Sequence, residues 1–311
     1  MQKNYIHLPV IFLTLIFACE KTSNDCAIFS NISESDTTKL NRKVLLIGID
    51  GFRSDAMLQN NAPFMFGLST DEDVYFTNSH KIESITYSGP NWSSILTGVH
   101  YNKHGVSDNG FDNPNYYKYP TFFNYIESVD SSINTASIVN WTPINTHILS
   151  SVTDFSPELS VKDIEVYDQL QNLLINDAPF DADIVFVHFD DLDAMGHTYG
   201  FSSDLPEYSN AINTIDSYVE NIFITINTKR NNGQDWLVMI VSDHGGQGTG
   251  HGDAQNPHIN QTIFFAQHPL LNFKNEHISN QCDISPTILR FLGISNPHFD
   301  CQKDGVSLIE D

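Results

Sequence analysis

The sequence predicts an α/β layered domain in which a central, mostly parallel sheet is flanked by helices. Short runs that are apolar almost throughout and rich in β-branched residues recur along the chain, as strands buried on both faces require. Between them lie longer segments whose apolar residues return every three or four positions, the spacing of a helix with one buried face. Strand, helix, strand alternation of this kind builds a layered domain with parallel pairing.

The first predicted strand spans residues 44–49 (VLLIGI), and 135–139, 184–189 (IVFVHF), 237–241 and 262–266 follow. Residues 161–175 read as a helix ahead of the third strand. The clearest helix is 211–228, where Ile212, Ile215, Val219, Ile222 and Ile226 share one face. A further short helix spans 286–292. No repeat and no linker interrupts the remainder, so residues 43–311 read as one catalytic-size domain.

Composition excludes several classes. The 311 residues carry 15 Lys and Arg against 38 Asp and Glu, a net charge of -23. Neutralising phosphates along a nucleic acid needs basic residues in quantity, so no nucleic-acid-binding patch is expected. With 40% hydrophobic residues, 21 Phe and 12 Tyr, the chain has ample material for a core and is not disordered.

Residues 1–18 join a basic start to an apolar run (LPVIFLTLIFA) too short to span a bilayer comfortably, and so read as a signal peptide. The run ends at Cys19, and LIFAC resembles a bacterial lipoprotein cleavage site, where the Cys becomes the lipidated first residue. A plain signal peptide is the alternative. Residues 19–42 are then a lipid-anchored polar tether, and the protein is expected in the bacterial cell envelope, anchored in a membrane on its periplasmic or surface side. With Cys19 lipidated, Cys26, Cys282 and Cys301 remain. An oxidising compartment favours a disulfide between Cys282 and Cys301, with Cys26 spare.

Polar clusters follow the predicted strands. Asp50-Gly51-Phe52-Arg53 follows the first, Asp193-Ala194-Met195-Gly196-His197 follows 184–189, and Asp243-His244-Gly245-Gly246 follows 237–241, with Gly250-His251-Gly252 close behind. Ligands of open α/β sheets bind beyond the carboxyl ends of strands, which brings these segments to one crevice. Singly, each has an ordinary reading: an Asp after a strand caps a turn, and Asp193 with His197 at i, i+4 makes a solvated helix face. Their coincidence at several strand ends argues for a site. Carboxylates mixed with imidazoles suit zinc or a related transition metal better than calcium or magnesium, which take oxygen shells.

Ser88 precedes Gly89-Pro90-Asn91 and a short apolar run, 92–96, that reads as a helix with Ser88 near its N-cap. There a hydroxyl meets free backbone N–H groups and the positive end of the helix dipole, a setting that favours an alkoxide and the anion it attacks. The bland reading is an ordinary capping serine. Thr86, Ser93 and Ser94 are rival hydroxyls, the last two inside the expected helix.

Asp-Gly-Phe-Arg (50–53), Ser-Gly-Pro-Asn (88–91) with Leu-Thr-Gly and His-Gly-Val downstream, Asp-x-x-x-His (193–197) and Asp-His-Gly (243–245), in this order, resemble the alkaline phosphatase superfamily. Within it the chain is most similar to the type I phosphodiesterase and nucleotide pyrophosphatase branch, from about residue 44 to 308. Asp283-Ile284-Ser285-Pro286-Thr287-Ile288-Leu289, ending in Leu292-Gly293-Ile294, is similar to that branch's closing helix.

The resemblance implies an alkaline-phosphatase-like fold and two Zn2+ ions. Asp50, Ser88, Asp243 and His244 match the residues that hold the metal beside the nucleophile, and Ser88 matches the residue that attacks phosphorus. Asp193 and His197 match ligands of the partner metal. Asn91 matches the asparagine that steadies a phosphoryl oxygen. His251 is taken as the last imidazole, with His258 as rival and His268, His277 and His298 further alternatives. The implied reaction is phosphoester hydrolysis through a phosphoserine on a small-molecule substrate, which could be a nucleotide.

Sulfatases share the fold, but their modified Cys or Ser is followed four residues later by Arg, where Trp92 stands here, and Gly51 replaces the second of their paired acids. A non-catalytic surface lipoprotein is disfavoured because the motif positions are filled. A phosphomonoesterase is the closer alternative. A terminal dianion calls for a basic clamp, and Arg53 and Lys103 are the basic residues beside the motifs. Phe52, Tyr87, Trp92, Trp141 and Tyr199 offer rings that could stack on the leaving group of a diester.

Overall fold

The computed structural model describes residues 42–159, 162–294 and 302–310. The expected signal peptide, Cys19, the tether as far as residue 41, Cys26, His298 and Cys301 lie outside these. No helix among the described residues is long and apolar enough to cross a membrane.

The strands are β1 (Arg42–Ile49), β2 (Val74–Lys81), β3 (Thr135–Val139), β4 (Ile184–Phe189), β5 (Asp235–Val241) and β6 (Gln261–Gln267). They form one six-stranded sheet in the order β2-β6-β5-β1-β4-β3. β1 takes a central place because both of its faces are apolar: Leu45, Ile47 and Ile49 enter one core, Val44 and Leu46 the other. It pairs in parallel with β4 and β5, and β3 continues the parallel set beyond β4. β6 runs antiparallel to β5 and carries β2 as the edge.

Sequence reading missed β2. Of VYFTNSHK only Tyr75 and His80 are fully buried, and the register shifts between Thr77 and His80, so neither an apolar run nor strict alternation marks this edge strand.

The helices are α1 (Pro63–Leu68), α2 (Ser88–Thr97), α3 (Tyr101–His104), α4 (Phe122–Val129), α5 (Asp163–Asn176), α6 (Asp191–Tyr199), α7 (Pro206–Asn231), α8 (Pro257–Asn260) and α9 (Ile284–Leu292). α1, α5 and α7 cover one face of the sheet; α2, α4 and α9 cover the other. α7 begins earlier than expected, at Pro206, whose missing N–H costs nothing in a first turn. Its five isoleucine and valine positions at helical spacing are all buried, each contributing about 1.5–3 kcal/mol. Buried Asp216 of α7 accepts from the N–H groups of Phe64 and Met65, tying the start of α1 to the longer helix. α9 starts at Ile284, two residues before its expected start, because a 3-10 turn, Gln281–Asp283, leads into it through an Asn280–Asp283 capping box.

Candidate active site

Parallel pairing of β1 with β4 and β5 sets their carboxyl ends side by side, and Asp50, Asp193 with His197, and Asp243 with His244 all follow those ends. The β2–α2 connection carries Ser88 to the same place. Tyr87 is the N-cap of α2 and Ser88 its first residue, so Ser88 lies beside the N-cap as expected and the ordinary capping serine is set aside. Freed from a cap, the Ser88 hydroxyl lies 3.3 Å from His244 Nε2 and is 7% exposed.

Backbone carbonyls fix the tautomers of three imidazoles. His244 Nδ1 donates to Gly245 O at 2.9 Å, His251 Nδ1 to Thr86 O at 2.7 Å and His197 Nδ1 to Thr249 O at 2.9 Å. A carbonyl only accepts, so each Nδ1 bears the proton and each Nε2 presents a bare lone pair. His244 Nε2 faces Asp50 Oδ1 and Asp243 Oδ2, both at 3.4 Å, and His197 Nε2 faces Asp193 Oδ2 at 3.3 Å. The ring of His251 stacks on His244 at 3.9 Å between centroids. Lone pair against carboxylate repels unless a proton or a metal cation lies between them.

The carboxylates have the matching arrangement. Asp50 Oδ2 accepts from Trp92 Nε1 at 3.0 Å and from His188 Nε2 at 3.1 Å. The His188 tautomer follows from Trp141 N–H, which points at Nδ1. Asp243 Oδ1 accepts from Gly51 N–H at 3.2 Å. Asp50 Oδ1, Asp243 Oδ2 and Asp193 Oδ1 are buried with no hydrogen-bond partner, a costly state for a neutral-solvent protein but the right one for metal ligands. Burial and then Asp243 push the Asp50 carboxyl well up; burial and then Asp193 do the same to Asp243. Burial followed by Asp50 and Asp190 pushes Asp193 up to about 9. A divalent cation would offset both, its charge opposing the mutual repulsion and stabilising the buried anions. The ligand atoms of Asp50, Asp243 and His244, and those of Asp193, His244 and His251, lie within 4.8 Å of one another, so the residues present fit the metal chemistry that carboxylate and imidazole donors imply.

Supporting residues close in on this cluster. Gly51 has φ +69°, and a Cβ there would stand 2.8 Å from Asp193 Oδ1; only glycine lets the residues after β1 approach α6 this closely. The buried ring of Phe201 packs edge-on against His197, with centroids 5.3 Å apart, and a Cβ at Gly196 or at Gly246 would fall within its van der Waals envelope. His188 and Phe201 were not singled out from sequence: His188 sits inside an apolar strand, and Phe201 lies outside every motif.

Asn91 is corrected. Its Oδ1 accepts from Glu83 N–H at 2.9 Å, and its Nδ2 donates to Ile85 O and Tyr87 O. Every amide group braces the loop ahead of Ser88, and the residue is fully buried. Asn109, by contrast, has an exposed carboxamide next to the start of α2: its Oδ1 accepts from Gly89 N–H at 2.8 Å. In sequence Asp108-Asn109-Gly110 reads only as a turn.

Other candidates separate by geometry. His258 lies 2.9 Å from Arg53 Nη2 and 3.2 Å from Asp55, away from the cluster; His268 pairs with Asp235 and His277 with Asp283. Arg53 is held by Asp55 and Phe201 O, and Lys103 by Asp304 and Gln302 O. Phe52 and Trp92 are core, whereas Tyr87 is 47% exposed with its ring edge-on to His251, centroids 6.1 Å apart. Cys282 is a free, buried thiol, and its expected partner Cys301 lies outside the described residues.

Sheet order, covering helices and donors gathered at the strand ends define an alkaline phosphatase superfamily protein. The chain belongs to the type I phosphodiesterase / nucleotide pyrophosphatase family, whose model matches residues 44–281. No curated protein sequence matches it significantly. Among solved structures it is similar to murine ectonucleotide pyrophosphatase / phosphodiesterase 5, inactive and in complex with AMP, at 14% identity and TM-score 0.64, over 86% of this chain and 100% of that one. It is similar to the C-terminal periplasmic domain of EcEptC from Escherichia coli in complex with Zn, at 15% identity and TM-score 0.60, over 86% and 87% of the two chains. A putative sulfatase from Bacteroides thetaiotaomicron also matches, at 13% identity and TM-score 0.65, over 86% and 74%. At these identities the neighbours establish the fold alone. Family and fold together support a phosphoester hydrolase.

Proposed function

We propose that the chain is a phosphodiesterase that uses Ser88 as nucleophile and two zinc ions, acting on nucleotide-like small molecules at the bacterial cell envelope. The observation that carries this reading is the set of three imidazoles whose Nδ1–H groups are tied back to carbonyls, with the bare Nε2 of His244 facing the unpartnered oxygens of Asp50 and Asp243 and that of His197 facing Asp193. Asp50, Ser88, Asp243 and His244 would hold one ion, and Asp193, His197 and His251 the other. Bound zinc supplies Lewis acidity that offsets phosphoryl charge and lowers the pKa of a serine hydroxyl. The AMP complex of the murine neighbour and the zinc complex of the periplasmic one support the substrate and metal classes.

Ser88 contributes the attacking oxygen. Its Oγ–P bond forms as the bond from phosphorus to the leaving oxygen breaks on the opposite side; the serine proton passes to solvent and the leaving oxygen takes one up. Water then cleaves the phosphoserine and restores the hydroxyl. Asn109 is oriented to donate to a phosphoryl oxygen, and the N-terminal end of α2 adds its positive dipole end. With Arg53 and Lys103 both committed to structural partners, neither serves as a clamp for the extra charge of a monoester, and exposed Tyr87 offers a stacking face for a leaving group. Comparing kcat/KM for bis-p-nitrophenyl phosphate and p-nitrophenyl phosphate in the presence of zinc tests the reading. A higher value for the monoester overturns it in favour of a phosphomonoesterase. Export and lipid anchoring at Cys19 rest on the N-terminal sequence, and loss of membrane association in Cys19→Ala tests them.

A further inference from the structure

Roughly 10 Å along α2 from Ser88, at about 1.5 Å per residue, a second group of donors meets beside Ser94. Glu83 Oε1 lies 2.8 Å from His100 Nδ1, Cys282 Sγ lies 3.4 Å from the same nitrogen, and the three atoms are within 4.8 Å of one another. One ring nitrogen carries one proton or one lone pair; given to Glu83, whose hydrogen bond raises the His100 pKa, it has nothing left to offer the thiol. A cation between the three atoms satisfies the carboxylate and the thiol together.

The carboxylate is already oriented as a ligand would be. Val106 N–H donates to His104 Nδ1 at 3.2 Å, which leaves the proton on Nε2, 3.0 Å from Ser94 Oγ; Ser94 in turn donates to Glu83 Oε1 at 2.7 Å. A donor chain directed at one carboxylate oxygen is the usual support behind a metal-ligating acid. The three donors come from separate segments: the β2–α2 connection, the α2–α3 turn and the 3-10 turn ahead of α9. Glu83 and Cys282 are buried, and the His100 side chain is half exposed, so an ion has a route in from solvent. Asp304 holds His100 N–H at 2.9 Å and adds negative charge nearby.

We propose that Glu83, His100 and Cys282 form a further metal site for one zinc-class transition-metal ion, which pins the C-terminal end of α2 to the turn before α9. A thiolate, an imidazole and a carboxylate together select such an ion over calcium or magnesium. Binding releases the thiol proton to solvent and protects the sulfur from oxidation. The site stands apart from the strand-end cluster, whose donors include no sulfur, and does not depend on the function proposed there.

Cobalt(II) gives a near-ultraviolet charge-transfer band when bound by thiolate, so titrating the full-length chain with cobalt reads its cysteines and not the sulfur-free strand-end cluster, and Cys282→Ser assigns the band. The band is expected in the wild type and in Asp193→Asn, and lost in Cys282→Ser. Because Cys282 is buried and its variant could misfold, His100→Ala is the second test: it should weaken the band severalfold and lower bound zinc by about one equivalent. Absence of the band in the wild type, an unchanged band in His100→Ala, or a Cys282–Cys301 disulfide in the unreduced protein would overturn the proposal.

Discussion

The indole Nε1–H of Trp92 donates to Asp50 Oδ2 at 3.0 Å, from the second turn of α2 to the end of β1. The bond leaves the other oxygen of Asp50 facing His244, so the helix that carries Ser88 also aims the carboxylate at the end of β1. Trp92→Phe keeps most of the buried volume and removes the donor. A loss of about 10–100-fold in metal affinity is expected, read as a rightward shift in the zinc dependence of activity, with the folded state retained.

Ser88→Ala should lower turnover by several orders of magnitude while the melting temperature changes little, because the hydroxyl's hydrogen bond is a long one, 3.3 Å to His244 Nε2, and the methyl fills no new volume. Single-turnover assays on a chromogenic diester measure it, and unchanged turnover would move the nucleophile to another hydroxyl.

His251→Ala should bring bound zinc at the strand-end site from about two equivalents toward one, whereas His258→Ala, which only releases Arg53 and Asp55, should leave the metal content alone. Elemental analysis of the purified variants decides between them.

The two asparagines near Ser88 should part company. Asn109→Ala is expected to lower kcat by about 10–100-fold with stability little changed, since its carboxamide is exposed and, among the described residues, hydrogen-bonds Gly89 N–H. Asn91→Ala strips three hydrogen bonds from a buried loop and should cost about 1–3 kcal/mol of stability. Urea titrations alongside kinetics separate the two effects.

His80 provides a pH dependence remote from any metal ligand proposed at the strand ends. It is fully buried against Phe264, bonds Ser279 through Nδ1, and burial lowers its pKa from 6.5 to about 3. The unfolded ring therefore binds a proton below pH 6.5 that the folded ring refuses, so stability is present above that pH and falls as pH drops toward 3. The expected loss is about 1.4 kcal/mol per pH unit, or about 2 kcal/mol at pH 5. His80→Phe should flatten that slope by one proton in unfolding curves taken between pH 4 and 7, and an unaltered slope would show that His80 does not titrate this way.

Sequence alone made the sheet centre and the strand-end donors legible, for different physical reasons. β1, β4 and β5 are buried on both faces, so their apolar runs are unbroken, and polar residues immediately after them could only be caps or ligands. β2 was hidden because an edge strand buries few side chains. Asn91 misled because a motif position states which residue is present, not which way its amide turns. Asn109 and His188 reach the site through tertiary contacts with Gly89 and Asp50, which no local spacing encodes.

Phe201 makes three positions interdependent. Its ring occupies the volume that side chains at Gly196 and Gly246 would fill, while its edge supports the imidazole of His197. During divergence these sites can change only in concert: a larger residue at 196 or 246 requires a smaller one at 201 and leaves His197 without its aromatic wall. In a library randomised at all three, functional survivors with an aromatic ring at 201 should therefore keep glycine at both of the others, and the mutational tolerance of each site is set by the occupant of another rather than by its own backbone.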